Sequence, residues 1–577
     1  MEARSLVAPT ACGVPGKPAI PREGPAPDRA RGRAHGITTL PEPAGQRPHL
    51  TEDVLTPPPV PSTASLPLAY QRNGSPLTGE ALQAWLDAQR HTPYFEALAA
   101  YSREGVTPFH VPGHKHGRGM LAEFRELVGE QALRLEVTTC IGLDDLHHAS
   151  GPLRDAQELA AQVYGADHTW FLINGSSSGV QAMIMATCAP GDTILIPRNA
   201  HKSTWGAAIT TGALPVYVYP EYDYEHNIDH TPTVESYRRA LDENPHARAL
   251  LVVSPTYYGA LADIRAIIKL AHERNVLALV DEAWGPHLPF WRGFDSSAMW
   301  CGADAAVNST HKLVGAMSQG SMLHISTRRL DPYRVDAVAR LFLSTSPSCL
   351  ILSSIDAARK QMVLEGDALL EQTVQLAEGA RQALRDIPGV GSFGRELIGR
   401  PGVSGFDPTR LSFQVRGLGI TGYEFEALLR KHHHVQAEMS DLFNVLCLVT
   451  IGDREQDLAR LVEGVRDLAE RAARGDAEVH PFERTFGPSF ELPDWPPIRM
   501  TPREAFFAPS RLVKVADALG EVASEMITPY PPGIPIICPG EEVTQQIIDY
   551  LSVEIDADFK VHGLIERDGD SWMRVLA

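Results

Sequence analysis

Residues 169–197 read TWFLINGSSSGVQAMIMATCAPGDTILIP. Thr169–Ile173 has the length and the aromatic and β-branched character of a buried strand, and Thr193–Pro197 has the same. Between them, Asn174 and the run GSSSG break the first strand, and SSGVQAMIMATCA continues as a helix. The alternation extends outward in both directions. RDAQELAAQVYG precedes it as a helix, and KSTWGAAITTG follows as another. PVYVY, RALLVVS and VLALVD read as strands, with DIRAIIKLAHERN as a helix between the last two. Short buried strands separated by single helices specify an α/β fold: a mostly parallel sheet with helices on both faces. Ligands of such sheets bind beyond the C-terminal ends of the strands.

The texture of the chain changes on either side of this block. Residues 1–75 are dense in Pro, Gly, Ala and Arg without helical or strand period, which predicts a disordered or polyproline-like tail. Residues 76–140 begin with LTGEALQAWLDAQRHTPYFEALAAYSREG, a helical arm with Thr78 as its candidate N-cap. Residues 141–375 form the expected major domain. From 376 to 577, helices (YEFEALLRKHH, DLARLVEGVRDLAERAAR) alternate with strands (RLSFQV, LCLVT), which predicts a smaller C-terminal α/β region.

Composition narrows the function. The chain has 577 residues, enough for two or three domains, and a formal net charge of −19, which argues against a nucleic-acid partner. No apolar run approaches the ~20 residues of a membrane helix, and the N-terminus has no continuous apolar signal core. The 7 cysteines are scattered, with no CxxC, so the expected setting is a reducing cytoplasm without disulfides or structural zinc.

Three sites fall at strand ends, where chemistry is expected. Gly175-Ser176-Ser177-Ser178-Gly179 opens a helix, and its backbone N–H groups and hydroxyls suit a phosphate dianion. Asp281 ends the strand VLALV and is followed closely by Trp284, an aromatic able to pack beside a planar ring or to serve as core. Ser309-Thr310-His311-Lys312 follows AAVN and precedes the small, flexible run LVGAMSQG. Burial would lower the pKa of Lys312 and free its amine to attack an aldehyde. An amine for an aldehyde, a carboxylate for a ring nitrogen and a cradle for a phosphate are together what pyridoxal phosphate requires. Ser309 could add a hydroxyl to the cradle from across the pocket. His201, in RNAHKS, could stack on the cofactor ring, and His311 could relay protons or position the carboxylate to be lost. His110, His114, His116, His147 and His148 show no spacing typical of a zinc enzyme, and no metal is expected. Asp144 and Asp145 could cap a helix or line the entrance of a cationic substrate.

At this point the residues resemble a family. FHVPGHKHG, GLDDLHHASGPLRDAQELAAQVYGAD, FLINGSSSGVQAM, RNAHKS, SPTYYG, VDEAWGPH, NSTHKLVGAMSQGS and PYPPGIPIICPGEE occur in the order found in the bacterial ornithine/lysine/arginine decarboxylases. The resemblance runs from about Pro108 to the C-terminus. It implies the aspartate-aminotransferase fold (fold type I) with pyridoxal 5'-phosphate as cofactor. It makes Lys312 the Schiff-base lysine and Asp281 the partner of the pyridine nitrogen. Ser176, Ser177 and Ser309, with Gly175, become phosphate contacts, His201 the stacking residue, and Trp284 and His311 cofactor neighbours. It implies decarboxylation of arginine, lysine or ornithine to a polyamine precursor, in a homodimer or larger assembly with active sites at the subunit interface. The tail resembles no wing domain, so the short form of the family and a biosynthetic role are expected. The substrate's distal cation needs an acid, with Asp144, Asp145, Glu525 and Glu541 as candidates. The alternatives are transamination or elimination on the same fold, or a regulator that binds the cofactor without turnover.

Overall fold

The computed structural model describes residues 77–577 apart from 295, 477, 480–493, 530–532 and 557–559, so the expected N-terminal tail lies outside the described residues. Seven strands form the central sheet: β1 (His168–Leu172), β2 (Thr193–Pro197), β3 (Leu214–Val218), β4 (Ala249–Val253), β5 (Leu277–Asp281), β6 (Ala305–Asn308) and β7 (Ser321–Ile325). Their order across the sheet is β1-β7-β6-β5-β4-β2-β3. The β2–β3, β2–β4, β4–β5 and β5–β6 pairs are parallel, and β7 runs antiparallel to both its neighbours. β4, β5 and β7 are buried along their whole length, the pattern of strands covered on both faces.

The helix after β1 spans Gly175–Thr187 and packs tightly on the sheet. A Cβ on Gly179 would meet Leu172 at 2.7 Å and Val307 at 2.9 Å, so glycine is what lets the helix N-terminus lie close to β1 and β6. The crossover to β3 is the helix Lys202–Thr211, and the one leading to β5 is Ile264–Glu273, capped by Asp263 accepting from the Ala266 N–H.

The arm is helical, as its apolar spacing predicts. It is two helices, Gly79–Gln89 and Pro93–Arg103, because Pro93 opens the second at a position where its missing N–H costs nothing. Thr78 occupies the N-cap position, but its hydroxyl makes no capping bond. The second helix is tied to the main body through Asp356, which accepts from the Tyr94 N–H at 3.0 Å.

A 37-residue helix, Cys349–Arg385, crosses the place near residue 375 where the sequence changes texture. Its longer N-terminal part packs into the core of the seven-stranded sheet, ending with Leu370 and Val374. Its C-terminal part, from Ala377, packs with the antiparallel strands Arg410–Gln414 and Asn444–Leu448 and the helix Glu455–Ala473. A third core, around Ile537, Ile547, Leu551 and Val575, belongs to the last eighty residues or so. No helix among the described residues is long and apolar enough to cross a membrane, and their six cysteines are unbridged.

Candidate active site

The ends of β1, β2, β5 and β6 bring the candidate residues to one edge of the sheet, as the strand–helix alternation requires. β6 ends at Asn308, and a single helical turn, Thr310–Leu313, carries His311 and Lys312. The Lys312 Nζ lies 3.8 Å from the centre of the Trp284 ring. Burial pushes the Lys312 ammonium down to about 8, Asp281 pulls against that shift, and Arg410 adds to it. At pH 8 such a lysine is about half neutral, whereas a solvated one is under one per cent neutral.

Asp281 ends β5 and is 5% exposed. Its Oδ1 accepts from the Ala283 N–H at 3.1 Å. Burial raises its carboxyl, against the Ala283 N–H and the Lys312 charge. Among the described residues no hydrogen bond or ion pair joins Lys312 to Asp281, and the two act on each other through their charges.

The phosphate-cradle expectation places three serines together, and two of them meet. The Ser309 hydroxyl donates to Ser176 Oγ at 2.7 Å, and Ser309 is fully buried. Gly175 has φ +74° and sets the turn into the helix. Ser177 is exposed at the same helix start, and Ser178 Oγ turns back to donate to the Gly175 carbonyl. The first N–H groups of this helix have no acceptor within it, and the dipole adds positive character there.

His201 N-caps the helix Lys202–Thr211. Its Nδ1 accepts from the Ser203 N–H at 3.2 Å and lies 2.8 Å from Ser203 Oγ. The remaining ring proton therefore sits on Nε2. Burial, with the charges of Lys312 and Lys202, drives the imidazolium down to about 3, so the ring is neutral at physiological pH. His311 is fixed the other way: its Nδ1–H donates to the Gly320 carbonyl at 2.8 Å, leaving Nε2 as the basic atom. Burial lowers its pKa too, opposed by that carbonyl.

Trp284 is buried, with its ring edge-on to Tyr257 at 5.3 Å. Behind it stands Arg410, a residue unmarked by any motif. Its guanidinium is fully buried, lies 4.9 Å from the Trp284 ring and donates to the Trp284 carbonyl. Asp407 lies 3.5 Å away and completes the charge balance. Glu438, also missed, lies within electrostatic range of Lys312 and Arg410. Arg410 opens the strand Arg410–Gln414 and Glu438 directly precedes the strand Met439–Ser440, both more than a hundred positions after Trp284, so no local spacing could have pointed to them.

The four acids considered for a substrate cation are all engaged elsewhere. Asp144 is a helix cap: its Oδ2 accepts from the N–H groups of Gly151 at 2.7 Å and Leu153 at 3.0 Å. Asp145 closes a turn by accepting from the His147 N–H. Glu525 pairs with Arg574 at 3.2 Å. Glu541 is fully buried and bidentate to Arg198 at 3.0 and 2.9 Å, which removes it from the list. Of the histidines, His110 bonds Tyr101 at 2.8 Å and His114 meets Glu136 at 3.1 Å. The described residues that come within ligand distance of one another are Asp223, Glu225 and His226, and the Arg400 guanidinium already neutralises both carboxylates.

With this geometry in hand, comparison with known proteins decides the family. Residues 92–457 match the model for "Orn/Lys/Arg decarboxylase, major domain", and 491–575 match "Orn/Lys/Arg decarboxylase, C-terminal domain". The chain belongs to the Orn/Lys/Arg decarboxylase family. That membership makes it a decarboxylase of a basic amino acid. The arginine decarboxylase of Bacillus subtilis is 41% identical over 476 residues, 82% of this chain and 96% of that protein. Lysine decarboxylase A from Pseudomonas aeruginosa has a solved structure that superposes with a TM-score of 0.73 at 25% identity, over 86% of this chain and 82% of that one. The Francisella novicida lysine decarboxylase shares the fold, with a TM-score of 0.74 at 21% identity over 87% of this chain and 85% of that one.

Proposed function

We propose that this protein binds pyridoxal 5'-phosphate through Lys312 and decarboxylates arginine. The observation that carries the cofactor is the donor set: a buried amine held near neutrality, 3.8 Å from an indole and within electrostatic range of a buried strand-end carboxylate. A bonded pair of serine hydroxyls at a helix N-terminus supplies the third requirement, so the residues present fit the group. What favours arginine is the 41% identity to proteins named arginine decarboxylase, against 26–27% to those named lysine or ornithine decarboxylase.

When bound, the cofactor supplies an aldehyde that condenses with amines and a cationic ring that accepts the electrons of the bond to be broken. The chain's own residues divide the remaining work. Lys312 would hold the group through its amine, whose lowered pKa makes the neutral form accessible. Asp281 would be the carboxylate for the ring nitrogen and would favour its protonated form, which an amide would not do. Ser176, Ser177 and Ser309, with the N–H groups that follow Gly175, would hold the phosphate dianion, while the Gly175 N–H itself donates to the Gln319 carbonyl at 3.1 Å. His201 presents a neutral ring to stack on, and Trp284 closes the site beside Lys312. His311, with Nε2 as its basic atom, is placed to carry a proton to Cα after carbon dioxide leaves.

The assembly belongs to the same reading. Phe109, Leu121, Leu127 and Ile141 are large apolar side chains standing in water, and Met317, in the loop after Lys312, is half exposed. A second copy of the chain covering them would place the active site at a subunit interface. A division into an arm (76–140), a major domain (141–375) and a C-terminal region (376–577), working in a reducing cytoplasm, completes the proposal.

The test is product analysis by mass spectrometry after incubation with the cofactor and arginine, lysine or ornithine separately. Agmatine from arginine, with carbon dioxide, is the expected result. A keto acid in place of the amine would move the reading to transamination, and cadaverine or putrescine as the main product would replace the substrate.

A further inference from the structure

Arg198 follows the last residue of β2 and precedes His201 by three positions. A guanidinium is rarely found where this one is. Its side chain and that of Glu541 are both 0% exposed. Besides the two bonds to Glu541, Nη1 donates to the Pro535 carbonyl at 2.7 Å and Nη2 to the Ile536 carbonyl at 3.0 Å. Trp205, Tyr217 and Trp495 surround it, their ring centres 5.5, 5.7 and 5.0 Å from Cζ. Glu541 Oε2 also accepts from the Cys538 N–H at 2.7 Å. Every polar atom of the guanidinium fork is matched to one partner geometry.

Such a pair contributes little net stability compared with well-packed apolar side chains, because both ions lose their hydration. What a forked, four-bonded guanidinium supplies that apolar packing does not is register: one orientation, with no sliding. The register it sets is that of the turn carrying His201. On the far side of His201, the Lys202 N–H donates to the Gly533 carbonyl at 2.9 Å. The turn is thus held three residues before His201 and one residue after it by a single stretch, residues 533–541. That stretch belongs to the region matched by the C-terminal domain of the family.

We infer that the Arg198–Glu541 pair and the Lys202 N–H to Gly533 bond form a latch by which the C-terminal domain holds His201 in place in the active site. Arg198 and Glu541 are positioning residues. The importance of the latch to the cofactor rests on the function proposed above, but the latch itself is a statement about the turn and is measured there.

The experiment uses the full-length protein and two latch variants. Glu541→Gln keeps the shape and removes the charge. Lys202→Pro removes the backbone donor to Gly533 together with the side chain, whose Nζ lies 3.4 Å from His562 Nδ1. Proline is tolerated at the first position of a helix, and His201, at φ −64° and ψ 148°, already has the conformation favoured before proline. Lys202→Ala keeps the N–H and controls for the lost side chain. Val575→Ala, in the C-terminal core, controls for general destabilisation. Amide hydrogen exchange, followed by mass spectrometry on the peptide covering 199–206, reads the turn with no cofactor present. Spectroscopic titration with pyridoxal phosphate reads affinity. Both latch variants should exchange about tenfold faster in that peptide than wild type, as for a locally loosened segment. They should also bind the cofactor about tenfold more weakly, the lower end for groups that support a site from behind. Both controls should match wild type in that peptide and in affinity, with Val575→Ala melting at lower temperature. Wild-type exchange at 199–206 in both latch variants, or equal loosening in Val575→Ala, overturns the latch. A protein that took up no pyridoxal phosphate would sink the proposed function instead, and the exchange result would still decide the latch.

Discussion

Two buried pairs of opposite charge lie at the strand ends of this sheet, and they are built differently. Arg198 and Glu541 are locked by two direct bonds, with carbonyls and an N–H taking up the remaining polar atoms. Among the described residues, Lys312 and Asp281 share electrostatic influence without a direct bond, and the Asp281 carboxylate accepts from the Ala283 N–H. The satisfied pair is fixed and chemically quiet. The half-satisfied pair leaves an amine near neutrality and a carboxyl displaced upward, the condition in which a site awaits a ligand that brings its own charges. The incomplete pairing marks the chemistry, and the complete pairing marks what holds it.

Breaking the reactive pair should have the largest effects. Lys312→Ala should reduce turnover by more than about a thousandfold, as loss of a group that bonds covalently to its ligand does. It should also abolish the visible absorbance that the bound cofactor shows in wild type. A variant retaining both would remove Lys312 from the mechanism. Asp281→Asn should keep the cofactor but lose about a hundred- to a thousandfold in kcat, comparable to removing one preorganised electrostatic partner. A kcat close to wild type would leave Asp281 without its assigned role.

The brace behind Trp284 comes next. Arg410→Met leaves Asp407 buried without a guanidinium partner and the Trp284 carbonyl without its donor. Asp407 keeps His287 at 3.1 Å and the Thr409 hydroxyl, so the loss should be about 1–3 kcal/mol, mainly for the unsatisfied Trp284 carbonyl, which urea unfolding would measure. A loss under about 1 kcal/mol would mean that the cavity admits water or relaxes.

The smallest effect is a shift in pH dependence. Lys312 reacts as its neutral amine, so capture of pyridoxal phosphate by the protein freed of it should accelerate as pH rises, with a midpoint near 8. Asp281 favours the charged ammonium. Asp281→Asn should therefore move the midpoint below 8, towards more acid pH. Stopped-flow absorbance across pH 6–10 would follow it, and a midpoint moving upward would mean that Asp281 does not act on Lys312 through its charge.

How much of this could be read from the sequence follows from where each contact lies along the chain. The strand Thr193–Pro197 has the bounds that its apolar run TILIP prescribes; Asp281 is the last residue of β5, and His201 and Lys312 fall past the ends of β2 and β6, because alternation fixes that geometry. The helical character of the arm is legible in its apolar spacing, but that spacing continues across Pro93 and does not mark where the first helix ends and the second begins. Glu541 was legible as an acid but not as the partner of a residue 343 positions earlier. Asp144 had two readings in sequence, and only the N–H groups of Gly151 and Leu153, folded back onto it, selected the cap. Arg410 and Glu438 carried no signal, because what makes them part of the site is burial against Trp284 and proximity to Lys312.

The most direct test of the central claim is to load the protein with pyridoxal phosphate, reduce it with borohydride, digest it and locate the modified lysine by mass spectrometry. The cofactor should be found on the peptide containing Lys312, and on no other, in proportion to the visible absorbance lost. A label on a different lysine, or an unmodified Lys312 peptide from protein that had bound the cofactor, would contradict the account.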